Sequence, residues 1–114
     1  MDRTTATSKQ HQDGINRAKL WLTDQDYDLK PLPTIRRSQP DVYGEKKQNG
    51  FLYKIIIEVE TEDSITDPHS KEQMNDFLNW TKEYNNCKIV LFIPKHVLED
   101  AKKELPFYSE YKTF

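Results

Sequence analysis

Between Phe51 and Glu60 the chain reads FLYKIIIEVE, apolar at every odd position, while the even positions pass from Leu52, Lys54 and Ile56 to Glu58 and Glu60. A period of two with β-branched enrichment predicts a strand with one fully buried face. Asn49-Gly50, immediately before it, is the strongest short hairpin signal, and Gln39 to Lys46 offers the approaching strand. Upstream, Ile15, Ala18 and Leu22 recur at helical spacing beside Trp21, predicting a first helix from about Gln12 to Gln25 whose start Gly14 weakens. Met1 to about His11, rich in Thr, Ser and Gln, reads as a frayed arm. Pro31 and Pro33 interrupt Tyr27 to Ile35, which predicts an edge strand or an extended connector.

Downstream, a second helix is expected to open at Asp67-Pro68 or at Ser70, since Ser70 and Gln73 have capping-box spacing. Met74, Phe77, Leu78 and Thr81 form its inner stripe, with Trp80 slightly off it, and Asn85-Asn86 suits a stop. Lys88 to Pro94 (KIVLFIP) is a continuous apolar run, as in a strand covered on both faces. Val97, Leu98, Ala101 and Leu105 mark a last helix ended by Pro106. The aromatic tail Phe107, Tyr108, Tyr111 and Phe114 either folds back on the core or covers a dimer contact. The order α-β-β-β-α-β-α predicts an α/β fold in which helices flank a mixed sheet of about four strands, with a right-handed β-α-β crossover. Residues 12–114 form a single domain behind an arm over residues 1–11.

Size and composition agree with one domain: the chain has 114 residues, 35% hydrophobic and 32% charged. No apolar run approaches the roughly 20 residues that span a bilayer. The first ten residues lack the apolar stretch of a signal peptide. The single cysteine, Cys87, cannot form an internal disulfide. These features predict a cytoplasmic protein with no membrane partner. The formal net charge of −2 does not suit a protein that holds duplex DNA mainly by its phosphates, so any nucleic-acid contact needs a local patch. Arg36, Arg37, Lys46 and Lys47 around the hairpin, and Lys95, His96, Lys102 and Lys103 around the last helix, are either such patches or ordinary surface charge. His69, at a helix start, is a surface residue or a general base. Cys87 opens a buried strand and reads as a small core residue.

A two-residue turn at Asn49-Gly50 fixes the hairpin register. Gln48 then faces Phe51, Glu45 faces Lys54 as a favourable charge pair, and Val42 faces Ile57. The same register sets Asp41, preceded by Pro40, opposite Glu58, and Glu60 points to the same side. Facing Cβ atoms lie about 4.5–5.5 Å apart, and two carboxylates about 5 Å apart at an effective dielectric near 20 repel by roughly 3 kcal/mol. Such a cluster is a solvated strand end continued by Glu62 and Asp63, or one acid is protonated, or a hard cation sits between them. Oxygen-only ligands suit Mg²⁺, Mn²⁺ or Ca²⁺.

Pro40-Asp41, followed after the hairpin by Glu58-Val59-Glu60 at the end of an apolar strand, resembles the PD-(D/E)xK nuclease superfamily. The predicted element order from Ile15 to Leu105 is similar too, and IIEVETEDSI (Ile56 to Ile65) resembles uncharacterised prokaryotic members. The resemblance implies a restriction-endonuclease-like fold and a Mg²⁺- or Mn²⁺-dependent hydrolysis of phosphodiester bonds in nucleic acid, DNA favoured over RNA. It implies Asp41 and Glu58 as metal ligands, with Val59 at the free position whose carbonyl often assists. Glu60 stands where the family usually has Lys, although some restriction enzymes of the superfamily carry Glu there; as a catalytic residue it would accept the attacking water's proton or bind a second cation. Lys71 would be a migrated cation, and Gln73 is similar to a helix glutamine seen in parts of the superfamily. Small nucleases of this fold often dimerise, so a homodimer is open. The replaced Lys and the acidic balance also fit a degenerate member that binds nucleic acid or a protein without cleaving. A third reading is an α/β interaction protein with no nucleic-acid partner.

Overall fold

The Asn49-Gly50 bend forms as its sequence demands, with φ of 55° and 82°, the left-handed pair that a two-residue hairpin turn requires. In the computed structural model, which describes the backbone over residues 3–114 and the side chains from residue 8 on, the chain runs through α1 (Arg3–Asp24), β1 (Asp28–Leu29), β2 (Val42–Gln48), β3 (Phe51–Val59), α2 (Pro68–Thr81) and β4 (Cys87–Ile93). A 3₁₀ turn (Lys95–Val97), α3 (Leu98–Glu104) and β5 (Glu110–Thr113) complete it. One five-stranded mixed sheet has the order β1-β2-β3-β4-β5. Its first three strands are antiparallel, and β4 and β5 run parallel to β3. The hairpin pairs Gln48 with Phe51, Glu45 with Lys54 and Val42 with Ile57, the expected register.

Helices cover both faces. Ile55, Ile57 and Val59 join Val42, Val90 and Phe92 against Ala18 and Leu22 of α1. On the opposite face Ile56, Tyr43, Ile89, Leu91 and Ile93 pack under Met74, Phe77 and Trp80 of α2 and Ala101 and Leu105 of α3. The expected single buried face of the FLYKIIIEVE strand is therefore corrected: Ile56 and Glu58 are as deeply buried as their odd-numbered neighbours. Among the described residues no helix is long and apolar enough to cross a membrane.

Three other expectations change, and one choice is settled. Of the arm predicted over residues 1–11, residues 1 and 2 lie outside the described residues, and from Arg3 onward the chain is already helix. Gly14 therefore lies inside α1 rather than at its start, and its missing side chain is what matters. A Cβ there would come within 2.4 Å of Val59 Cγ1 and 2.7 Å of Phe114 Cζ, so glycine lets the helix approach β3 and the chain terminus closely. Of the two starts expected for α2, Asp67-Pro68 is the one used: Asp67 caps the helix, accepting the His69 N–H at 2.9 Å. Trp80 is inside the core and edge-on to Tyr43, displacing Thr81 from the inner stripe.

The aromatic tail folds back. It adds a fifth strand along β4, Phe114 N–H donates to Ile93 O at 3.0 Å, and the Phe114 ring packs in the α1 cluster. Periodicity cannot reveal a four-residue strand that pairs with a partner twenty residues away.

Placing a methyl at residue 14 should cost more through overpacking than its helix propensity returns. Gly14→Ala is expected to lower unfolding free energy in chemical denaturation by about 1–3 kcal/mol; unchanged or higher stability would contradict the close approach of α1 to Val59.

Candidate functional site

The hairpin register carries Asp41 to the end of β3. Pro40, fully buried, leads into the strand, and Asp41 N–H donates to Ile57 O at 3.1 Å. The Asp41 side chain then reaches across the strand end, where Oδ2 accepts the Val59 N–H at 2.8 Å. Glu58, 4% exposed, lies beside Asp41 at this strand end. Burial first, then the Asp41 contact and the charges of Asp41 and Glu60, hold the Glu58 carboxyl well above the usual carboxylate range, against a smaller opposing pull from the Val59 backbone. An ionised Glu58 is therefore disfavoured at this position unless positive charge lies beside it.

Glu60 is equally buried but differently partnered. Its Oε2 accepts from the Ser64 hydroxyl and from Ser70 Oγ at 3.1 Å. Burial pushes its carboxyl up to about 7; the two serines and His11 pull it down, and Asp41 pushes it up. Ser64 is held by the β3–α2 turn, where Thr61 N–H donates to its Oγ at 2.9 Å. Ser70 continues the buried stripe of Met74 and Phe77 towards the N-terminal end of α2, so the helix face that fills the core also delivers a hydroxyl to Glu60.

The N-terminal part of α1 closes the other side. His11 Nε2 lies 3.2 Å from Asp41 Oδ2, and Gln10 Oε1 accepts the Glu62 N–H at 3.3 Å. Between α1 and the start of α2 opens a cleft of about 490 Å³. Its walls are Ser8 and His11, Gln39 and Asp41, the stretch Glu58 to Thr61 with Ser64, and Asp67, His69, Ser70 and Gln73. Four carboxyls and two imidazoles line it, and among the described lining residues there is no lysine or arginine. Beneath the carboxylates Tyr108 is buried and its hydroxyl has no hydrogen-bond partner. Burial, followed by the charges of Glu58, Glu60 and Asp41, drives that phenol well above its usual range.

Asp41, Glu58, Glu60 and Gln73, singled out from the sequence, therefore meet in one cleft. Val59 contributes its backbone there, while its side chain belongs to the core beneath α1. Lys71 does not join them: one residue past Ser70 it is turned about 100° around the helix, and its ammonium pairs with Glu104 at 3.5 Å. His69 lines the cleft, whereas Arg37 pairs with Glu72, His96 with Glu62 at 2.7 Å, and Lys46 bonds to Gln25 O at 3.0 Å. As the side chains stand, no group of three or more His, Cys, Asp or Glu among the described residues is arranged to hold a metal ion. Sequence reasoning missed Ser64, Ser70 and His11. The signal for His11 was present: it extends the Ile15, Ala18, Leu22 stripe by one turn towards the strand end. No protein-family model, curated protein or solved structure matches the chain.

Folding raises the Glu60 carboxyl from 4.5 to about 7, so the native state holds that proton more tightly than the unfolded chain does. The resulting stabilisation is complete below the unfolded value and is lost as pH rises through the folded one. At roughly 1.4 kcal/mol per pH unit it reaches about 3 kcal/mol, and Glu58 acts in the same direction. In cation-free buffer the melting temperature should fall between about pH 5 and pH 8, and Glu60→Gln should shrink that fall. An identical pH dependence in the variant would contradict the assignment.

Proposed function

We propose that this chain is a restriction-endonuclease-like domain whose cleft binds a divalent cation and hydrolyses phosphodiester bonds of nucleic acid, DNA in preference to RNA. The observation that carries the reading is the burial of Glu58 against Asp41. Folding free energy alone disfavours two acids in contact at a buried strand end, and a hard cation would turn that cost into binding energy. The donor chemistry fits: the two carboxyls offer oxygen ligands from neighbouring backbone positions, the set preferred by Mg²⁺ and Mn²⁺. The lining supports it as well, since without lysine or arginine a phosphate entering the cleft would meet mainly carboxyls unless positive charge arrives with it. The PD-(D/E)xK resemblance supports the same assignment of Asp41, Glu58 and the Val59 backbone.

A bound Mg²⁺ or Mn²⁺ would supply the charge that polarises the scissile phosphate and acidifies a water. The chain's own residues would do the rest. Asp41, fixed by Val59 N–H, and Glu58 would hold the cation. Glu60, whose carboxyl is pushed up to about 7, is matched to take the proton from the attacking water near neutral pH. Ser64 and Ser70 would keep that carboxyl oriented.

One observation favours a second reading. Glu60 is turned into its serines, and the lysine expected beside it pairs elsewhere. A degenerate nuclease-fold module that binds nucleic acid or a protein partner without cleaving would look the same. Single- and double-stranded DNA and RNA incubated with Mn²⁺ or Mg²⁺ separate the two. Cleavage reduced about 10²–10³-fold by Asp41→Ala and by Glu58→Ala, as expected for loss of several kcal/mol, is the result foreseen. Absence of cleavage under every condition would leave the second reading, and absence of Mn²⁺ binding as well would overturn the metal site.

A further inference from the structure

The first turns of α1 do more than cover the sheet. Three successive contacts pin them to the end of β3: Gln10 Oε1 to the Glu62 N–H at 3.3 Å, His11 Nε2 to Asp41 Oδ2 at 3.2 Å, and the bare Gly14 backbone against Val59 and Phe114. Of these, the His11 contact reaches into the cleft itself, where the imidazole forms part of the wall opposite α2. We infer that His11 is a positioning residue: its Nε2–H is the second of two donors that lock the Asp41 carboxylate for cation binding. This inference rests on the metal site proposed above.

Two donors on one oxygen give the inference its physical content. Val59 N–H, from the strand, and His11 Nε2–H, from the helix, both fall on Oδ2 of Asp41. A single bond would leave the carboxylate free to turn about its Cβ–Cγ axis. Two donors from separate elements fix its plane, and with it where Oδ1 points. Neutral and protonated imidazole can both carry the proton on Nε2, so the role does not depend on the charge of the ring. Outer donors that orient a ligating carboxylate commonly contribute 10–100-fold in metal affinity. Lys71, the cation expected at this site, is engaged with Glu104 instead, and His11 is the side-chain nitrogen in contact with Asp41.

Calorimetric titration with Mn²⁺ alone, at one fixed pH near neutrality, tests this on the full chain. The expected result is binding by the unsubstituted protein, weakening of about 10–100-fold in His11→Ala, and recovery of much of that loss in His11→Gln, whose amide also offers an N–H. In an Asp41→Ala background, removal of His11 should change nothing further. Thermal melts of the two His11 variants should be alike, so a difference in affinity between them cannot come from unfolding. If His11→Ala binds as the unsubstituted chain does, the inference falls while the metal site stands. A His11→Gln chain as weak as His11→Ala overturns the hydrogen-bond role. Absence of Mn²⁺ binding by the unsubstituted chain overturns the metal site and this inference together.

Discussion

Glu58 is pressed against Asp41 at the closed end of a β-strand, almost without contact with water, and the surrounding architecture serves to hold that pair. The Asn-Gly bend sets a register that pairs β2 with β3 as far as Val42 and Ile57, one residue short of the two acids. Pro40 and the Asp41 N–H bond to Ile57 stiffen the entry to β2. The Val59 amide, at the last residue of β3, holds the carboxylate from one side, and α1 approaches closely enough to hold it from the other only because residue 14 has no side chain. Like charges in contact and out of water cost several kcal/mol unless a proton or a cation lies between them. Three elements, β2, β3 and α1, converge on the Asp41 carboxylate beside this buried acid.

The position of the cleft follows from the topology. Strand β3 pairs antiparallel with β2 on one side and parallel with β4 on the other, so the sheet changes its pairing sense at the strand that carries Glu58 and leads into Glu60. The β3–α2 crossover leaves the carboxyl end of β3 on one side of the sheet face covered by α2, and the β2 entry brings Asp41 to the same end. Ligands in open α/β sheets collect outside the carboxyl ends of strands where strand direction or connection changes. Here the two walls are helices: α2 contributes Ser70 and Gln73, and α1 contributes Ser8 and His11. The acids form the floor, with the unpartnered Tyr108 hydroxyl below them.

Local pattern made much of this legible. The period-two run to Val59, the Asn-Gly bend and the KIVLFIP segment located the central strands, and the register arithmetic brought Asp41, Glu58 and Glu60 together before any coordinates were considered. What escaped depended on partners distant in sequence. The extension of α1 back to Arg3 is not suggested by the propensities of the Thr and Ser residues there, and the contacts of Gln10 and His11 with the strand end span some thirty to fifty residues. Gly14 reads as a helix weakener in isolation and as a close-packing position once Val59 and Phe114 are placed beside it. Ser70 matched a capping box by spacing, yet its hydroxyl turns inward to Glu60. Strand β5 is four residues of mixed polarity whose pairing with β4 spans some twenty residues; the helical stripe placed His11 on the inner face of α1, but its partner Asp41 lies thirty residues away.

The central claim is that the Asp41–Glu58 pair is a cation site rather than a proton-sharing pair of structural acids. Crystals grown with Mn²⁺ near neutral pH, measured at the manganese absorption edge, test it most directly. The account predicts an anomalous-difference peak between the Asp41 and Glu58 carboxyl groups, within about 2.5 Å of an oxygen from each, and its loss in crystals of Asp41→Ala. Well-ordered density for both acids in direct hydrogen-bonded contact, with no anomalous signal between them at millimolar Mn²⁺, would contradict it.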